Sequence, residues 1–461
     1  MDGLFHLGIS RDKTAQMPDM SAFHLNISYT YRVQPVPLPV ALSVNKTLTI
    51  NADRLMRRLA DLAQVSPIDG GGNCRLALTA QDKLGRDLVM NWMTELGLTI
   101  TVDTIGNVTG TWDTGSGAPV MTGSHIDTVR TGGRFDGNYG VLAGLEVIET
   151  CQTADLDLPR PLAVTFFTNE EGARFAPDML GSLVYAGAMQ VEEALDIVAI
   201  DGARLGDELR TIGYDGSTPC PGVVPHAFVE LHIEQGPILE AEGFVIGAVT
   251  GVQGISWQEV VIEGQSNHAG TTPMSLRHDA AYVAARLTVF LRELALRYGQ
   301  HQVCTVGKID LFPNLVNVVA ARATLTLDVR NTDNNVLQKA EQEIADFIKI
   351  LASQEEVTIS TRQLVRFDPV IFDQRVISLV ELIAHDSKLS VKTMPSGAGH
   401  DAQMLARVCP SGMIFVPSVK GISHNAAEFT HTADLVAGAN VLLQSMIALA
   451  HHDFHSQVAA S

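Results

Sequence analysis

The sequence predicts an α/β protein: a mostly parallel sheet with helices on its faces, interrupted by an inserted ferredoxin-like α+β domain. Three observations point there. Apolar strands with no polar alternation, the mark of burial on both faces, alternate with helical stretches before residue 255 and again after residue 369. Between them, two long helical patterns and four strands follow the order β-α-β-β-α-β. The chain is also 461 residues long, more than one core of roughly 250–300 residues usually accommodates.

The elements follow in order. Residues 1–48 stand apart: Arg11 and Lys13 precede no continuous apolar run, and Pro35, Pro37 and Pro39 interrupt the apolar stretch 33–44. The segment makes a poor match to a secretory signal and reads as a loose N-terminal extension, with a targeting role left open. Residues 49–255 form the first part of the larger domain. Asn51 or Asp53 can cap a helix to about Ala63, and Thr79 a second that ends near Gly97. Strands are expected at 98–102, 108–112, 118–125, 162–167 and 228–233, with a helix at about 139–150. Residues 256–368 are the inserted domain, with strands at 257–262, 303–311, 323–329 and 357–364 and helices at 279–298 and 335–351. Residues 369–461 return to the first pattern and close on an apolar helix. Its uncharged part, 435–450, contains Asn440, Gln444 and Ser445 and reads as a packing helix rather than a bilayer span.

Composition narrows the function. With 51 acidic and 32 basic residues the net charge is −19, a poor match to nucleic acid or anionic membrane. Five scattered cysteines without a C-x-x-C pattern suggest free thiols in a reducing compartment, hence a cytoplasmic protein.

The polar residues that carry chemistry stand where strands end, the edge at which open α/β sheets bind ligands. His125 and Asp127 end one strand, and Asp136 precedes the next helix. Asp127 can hold the His125 imidazole in one tautomer. Glu170 and Glu171 follow the apolar strand 162–167, and adjacent carboxylates there are costly unless a cation neutralises one of them. Glu230, His232 and Glu234 share a face by period two, and His424 lies in a late loop followed by Glu428. Each alone is commonplace: a capping aspartate, a solvated acidic turn, a satisfied histidine. Four such loops at one sheet edge suggest a nitrogen- and carboxylate-ligated metal site suited to Zn²⁺, Mn²⁺ or Co²⁺.

Segments 123–127, 136–140, 169–175, 232–236, 266–274, 314–318, 396–403 and 421–425 resemble the M20 metallopeptidase-related amidohydrolases. More narrowly they resemble the hydantoinase/carbamoylase group, which includes N-carbamoyl-L-amino acid amidohydrolases, β-ureidopropionases and allantoate amidohydrolases. The runs His-Ile-Glu-Gln-Gly and Ser-Asn-His-Ala-Gly-Thr-Thr-Pro are the most specific part of this likeness. It implies a di-metal catalytic domain holding two divalent ions, with the inserted domain as lid and dimerisation domain of a homodimer. Asp136 would bridge the ions, His125 and His232 would complete one site, and Glu171 and His424 the other. Glu170 would be the general base, and His268 would polarise the scissile carbonyl from across a dimer interface. Asn317 and Arg330 would hold a substrate carboxylate, with Gln235 and His400 contacting the ureido group or carboxylate. The implied reaction is hydrolysis of the carbamoyl C–N bond of an N-carbamoyl α-amino acid or β-alanine. Competing readings are an allantoate amidohydrolase, an M20 aminoacylase or exopeptidase, and a non-catalytic binding protein. No G-x-S-x-G, P-loop or H-E-x-x-H pattern supports other hydrolase chemistry.

Overall fold

The computed structural model describes residues 48–299 and 301–454, so the expected extension lies outside the described residues save for Leu48. Thirteen strands are described. The first six are β1 (Thr99–Val102), β2 (Val108–Trp112), β3 (Val120–His125), β4 (Leu162–Phe167), β5 (Ala227–Ile233) and β6 (Ile246–Val252). Four more, β7 (Gly254–Glu263), β8 (Val303–Phe312), β9 (Arg322–Asn331) and β10 (Thr358–Phe367), form a separate sheet. The last three, β11 (Val370–Ile371), β12 (Val391–Ser396) and β13 (Ser411–Val416), rejoin the first.

The nine-stranded sheet runs β1-β2-β4-β3-β5-β13-β6-β11, with β12 also paired to β6. Its centre, β4-β3-β5-β13, is parallel throughout, and every residue of those four strands is buried. Their largely apolar sequences follow from burial on both faces. Helix Asn138–Thr153 packs on β3, β4 and β5, and Thr432–His451 packs on β5 and β13. The latter is long and apolar enough to cross a membrane, yet most of it is buried within the protein. The edges add antiparallel pairs, β1 and β2 on one side and β6 against β13 and β11 on the other, where β12 joins β6 in parallel.

Caps set the first boundaries. The Asn51 side chain accepts from Arg54 N to start Ala52–Ala63, and Thr79 accepts from Asp82 N to start Ala80–Glu95. Neither β6 nor the short helices Leu180–Tyr185, Val191–Leu195, Leu205–Ile212 and Ile238–Glu242 is marked by periodicity. Gly247 and Gly251 interrupt the apolar pattern of β6, and helices of five to eight residues are too short to show a period.

The smaller sheet is antiparallel, in the order β10-β7-β9-β8. Along β9 burial alternates residue by residue. Leu325, Leu327 and Val329 pack with Leu287 and Leu291 of Ala280–Tyr298 and with Ile344 and Ile348 of Asn334–Gln354. Asp328 and Arg330 therefore emerge on the face the helices do not cover.

Candidate active site

Because the central strands are parallel, the residues ending β3, β4, β5 and β13 collect at one edge. A small cleft there is lined by His125, Asp136, Glu170, Glu171, Asp178, His232, Gln235, His400 and His424, with Ala398 and Gly399. Asp136 is its hub. The Oδ1 atom lies 3.5 Å from His125 Nε2 and 3.2 Å from His232 Nε2. The Oδ2 atom lies 3.5 Å from His424 Nε2 and 2.9 Å from Gln235 Nε2. His424 Nε2 is also 3.2 Å from Glu171 Oε2. Two triads of potential ligands thus share one carboxylate, His125/Asp136/His232 and Asp136/Glu171/His424, each with ligand atoms within 4.8 Å of one another.

The surrounding bonds fix the histidine tautomers. His125 Nδ1 donates to the Asp127 carbonyl at 2.9 Å, and His232 Nδ1 to the Ile233 carbonyl at 2.8 Å. A neutral ring anchored in this way turns its Nε2 lone pair toward Asp136, as a cation ligand must. At His232 two influences disagree. Asp136 draws a proton to Nε2, whereas the Gly137 N–H, 3.1 Å away, needs a lone pair there. The tautomer that satisfies both of its hydrogen bonds is the neutral, Nδ1–H form.

Electrostatics point the same way. Burial disfavours a charged His125, but Glu170 and Asp136 outweigh it and hold its pKa well above the usual value. His424 is pushed up to about 9, chiefly by its hydrogen bond to Glu171. Protons gather on these imidazoles because buried carboxylates need positive charge, which a divalent cation supplies in their place. Glu170 differs: burial, then Asp401, Glu171 and Asp136, push its carboxyl well above the normal range despite His125 at 3.4 Å. A carboxyl raised in this way takes up a proton more readily, as a group that accepts and passes on a proton must.

The local backbone is specialised. Gly137 has φ +64°, and a Cβ there would stand 2.5 Å from the His125 ring. Asn169, Gln235 and His424 occupy the left-handed region at +57°, +56° and +52°, the kind of strain that clusters at working sites.

Several sequence expectations change in detail. The Asp127 carboxylate does not orient His125; its main-chain carbonyl does. The carboxylate instead accepts from Glu170 N and Glu171 N at 3.2 and 3.3 Å and so aims both glutamates, with burial lifting its pKa to about 6. Glu234 turns away from the cleft and caps Ile238–Glu242 through the N–H groups of Ile238 and Leu239. Glu230, His232 and His400 form a third triad, but Glu230 is engaged by the Ser124 hydroxyl and Ala402 N, and His400 Nε2 by Ser396 Oγ. It reads as a buried hydrogen-bonded layer under the cleft.

Glu428 is the residue the sequence under-weighted. Its Oε1 accepts from Phe135 N and Asp136 N at 3.0 and 3.2 Å, and its Oε2 from Ser423 Oγ at 3.3 Å. It joins the loop carrying Asp136 to the loop carrying His424. Burial lifts its pKa to about 7.

The remaining expected residues lie on the smaller sheet. His268 and Asn317 are exposed, do not line the cleft, and sit on adjoining loops tied by Ala269 N to the Asn317 carbonyl. Arg330 lines a larger neighbouring cleft between the two sheets, with Asp328, Thr305, Gln253, Lys392 and Gly397.

Comparison with known proteins agrees with this arrangement. The profile of peptidase family M20/M25/M40 matches residues 121–448. An N-carbamoyl-L-amino-acid amidohydrolase of Rhizobium meliloti is 39% identical over 400 residues, covering 86% of this chain and 96% of that protein. One of Geobacillus stearothermophilus is 38% identical over 408 residues, covering 87% and 99%. A crystal structure of an amidase of the hydantoinase/carbamoylase family from Burkholderia multivorans superposes with a TM-score of 0.86 at 43% identity, covering 88% of this chain and 99% of that one. The chain belongs to peptidase family M20/M25/M40.

Proposed function

We propose that this protein is a metal-dependent amidohydrolase that cleaves the carbamoyl C–N bond of an N-carbamoyl amino acid. The observation that carries the reading is the pair of ligand triads sharing Asp136, with Glu170 beside them and outside both. The donors fit divalent cations: three imidazoles, the carboxylates of Asp136 and Glu171, no thiolate, and a buried Gln235 Oε1 with no hydrogen-bond partner among the described residues. His125, Asp136 and His232 would hold one ion and Asp136, Glu171 and His424 a second, Zn²⁺, Mn²⁺ or Co²⁺. Bound there, the ions supply positive charge that polarises the ureido carbonyl and makes water more acidic.

The chain's own groups do the rest. Glu170 takes a proton from the attacking water and passes it to the leaving amine. Water adds to the carbonyl carbon, the bond to the amino acid nitrogen breaks, and the released carbamic acid divides into CO₂ and NH₃. Asp127, through two main-chain N–H groups, keeps Glu170 and Glu171 facing the cleft. Burial and its imidazole neighbours hold His400 well below the usual histidine pKa, so it serves as a neutral hydrogen-bonding group beside the ureido nitrogen. Gln235 contributes its amide there, and Arg330 and Asn317 meet the substrate carboxylate.

His268 belongs to the site of a second copy, whose oxyanion it would stabilise. A face for that copy is available on the inserted domain. Tyr282, Val289 and Leu296 are exposed at seven-residue spacing along Ala280–Tyr298, and among the described strands β8 pairs with β9 alone. The free cysteines suit the cytoplasm.

The test is turnover of a panel comprising N-carbamoyl-L-methionine, N-carbamoyl-β-alanine, allantoate and a dipeptide, read as ammonia release for the three ureido compounds and as free amino acid for the dipeptide. Turnover of a carbamoyl amino acid above the others supports the reading. Turnover of the dipeptide alone would replace it with an exopeptidase, and of allantoate alone with an allantoate amidohydrolase.

A further inference from the structure

Arg330 is not a free cation waiting for an anion. Its Nε donates to Asp328 Oδ1 at 2.9 Å and its Nη2 to Asp328 Oδ2 at 2.8 Å, a two-point grip from two residues back on the same face of β9. Its Nη1 donates to the Gly397 carbonyl at 2.7 Å. That carbonyl precedes Ala398, Gly399 and His400, all of which line the metal-ligand cleft. Arg330 thus links the smaller sheet to the rim of the cleft, and its charge reaches Asp178 on the cleft wall.

The donor count shows what is spare. A guanidinium has five N–H bonds in one plane. Asp328 occupies the Nε/Nη2 edge and Gly397 one hydrogen of Nη1, so one N–H remains on each terminal nitrogen. The free Nη2 hydrogen lies on the edge shared with Nη1, and a second carboxylate can approach there. Trp257 supports the same plane: it stands directly across from Asp328 in the β7–β9 register, with its ring centre 5.9 Å from the guanidinium carbon.

We propose that Asp328 is a positioning residue that sets substrate specificity, holding Arg330 by its Nε/Nη2 edge so that the Nη1/Nη2 edge is presented to the substrate's carboxylate. The inference rests on the reading that Arg330 meets that carboxylate. A long, flexible side chain otherwise loses rotamer freedom when it binds, and a fork fixed beforehand avoids part of that cost. The price is charge: Asp328 cancels Arg330 nearby, so the site selects by the shape of a bidentate carboxylate more than by net attraction.

The experiment compares N-carbamoyl-L-methionine with its carboxamide in metal-loaded wild type, Asp328→Ala, Asp328→Asn and Arg330→Met. In Asp328→Ala we expect KM for the acid to rise about tenfold, the effect falling on KM rather than kcat, with the acid-over-carboxamide preference falling by a similar factor. Asp328→Asn keeps one acceptor oxygen and falls between. The Asp328→Ala/Arg330→Met double variant matches Arg330→Met alone, because Asp328 acts only through Arg330. If Arg330→Met erases the acid preference while Asp328→Ala leaves or lowers the acid KM, Asp328 is no positioning residue and the assignment of Arg330 stands. If Asp328→Ala raises KM equally for acid and carboxamide, its role is general support and the proposal fails. If Arg330→Met leaves the acid preference intact, the reading of Arg330 fails and the proposal with it.

Discussion

The two sheets treat their polar residues in opposite ways. At one edge of the nine-stranded sheet, His125, Asp136, Glu170 and His232 are buried where strands end or the next helix begins, and partners close by constrain each of them. In the smaller sheet, His268 and Asn317 stand exposed on loops, and Arg330 is half-buried at the edge of an open cleft. Groups that hold cations and move protons must be fixed to a few tenths of an ångström before substrate arrives. Groups that recognise substrate, or serve another copy, can wait on a surface. On the proposed reading, the difference separates groups that hold cations and move protons from groups that meet the substrate's oxygens.

Four perturbations probe that separation, taken from largest effect to smallest. Chelation followed by verified metal removal abolishes turnover, and Mn²⁺, Co²⁺ or Zn²⁺ restores it; full activity in metal-free protein would undo the reading of the buried region. Glu170→Gln retains metal and fold but lowers kcat by on the order of 10²–10⁴, read by steady-state ammonia release beside a metal analysis. His268→Ala lowers kcat by on the order of 10²–10³ with metal content unchanged, since that residue does not line the ligand cleft of its own chain. Loss of metal in this variant would collapse the distinction between the sheets. Glu428→Ala acts in the other direction, on the ions: with the strut between two ligand loops removed, metal affinity falls about 10–100-fold, measurable by competition with a chromogenic chelator. Unchanged affinity would show that the loops hold without it.

Much of this was legible beforehand, for identifiable reasons. Strands buried on both faces carry continuous apolar runs, and their polar terminators, His125, Glu170, His232 and His424, stand out against them. Asn51 and Thr79 mark helix starts because their side chains satisfy N–H groups nothing else can reach. Contacts made only on closure stayed hidden. Glu428 bonds to Asp136 N from 292 positions away, and no local pattern marks that distance. At Asp127 the residue was visible, but whether its carboxylate or its carbonyl met His125 depended on the turn after β3. Asp328, a strand residue of alternating burial, looks like any solvated carboxylate until Arg330 is seen folded back onto it.

Mixing two dead variants tests most directly whether one active site draws on both sheets of two chains. On the proposed reading Glu170→Gln would lack the base and His268→Ala the carbonyl-polarising group, so each variant's homodimer would be inactive on an N-carbamoyl amino acid. After subunit exchange, half of the dimers are mixed, and each holds one site with Glu170 from one chain and His268 from the other. The account predicts recovery of about one quarter of wild-type activity. Activity no greater than the sum of the two separate variants, in a mixture shown to contain hybrids, would contradict it.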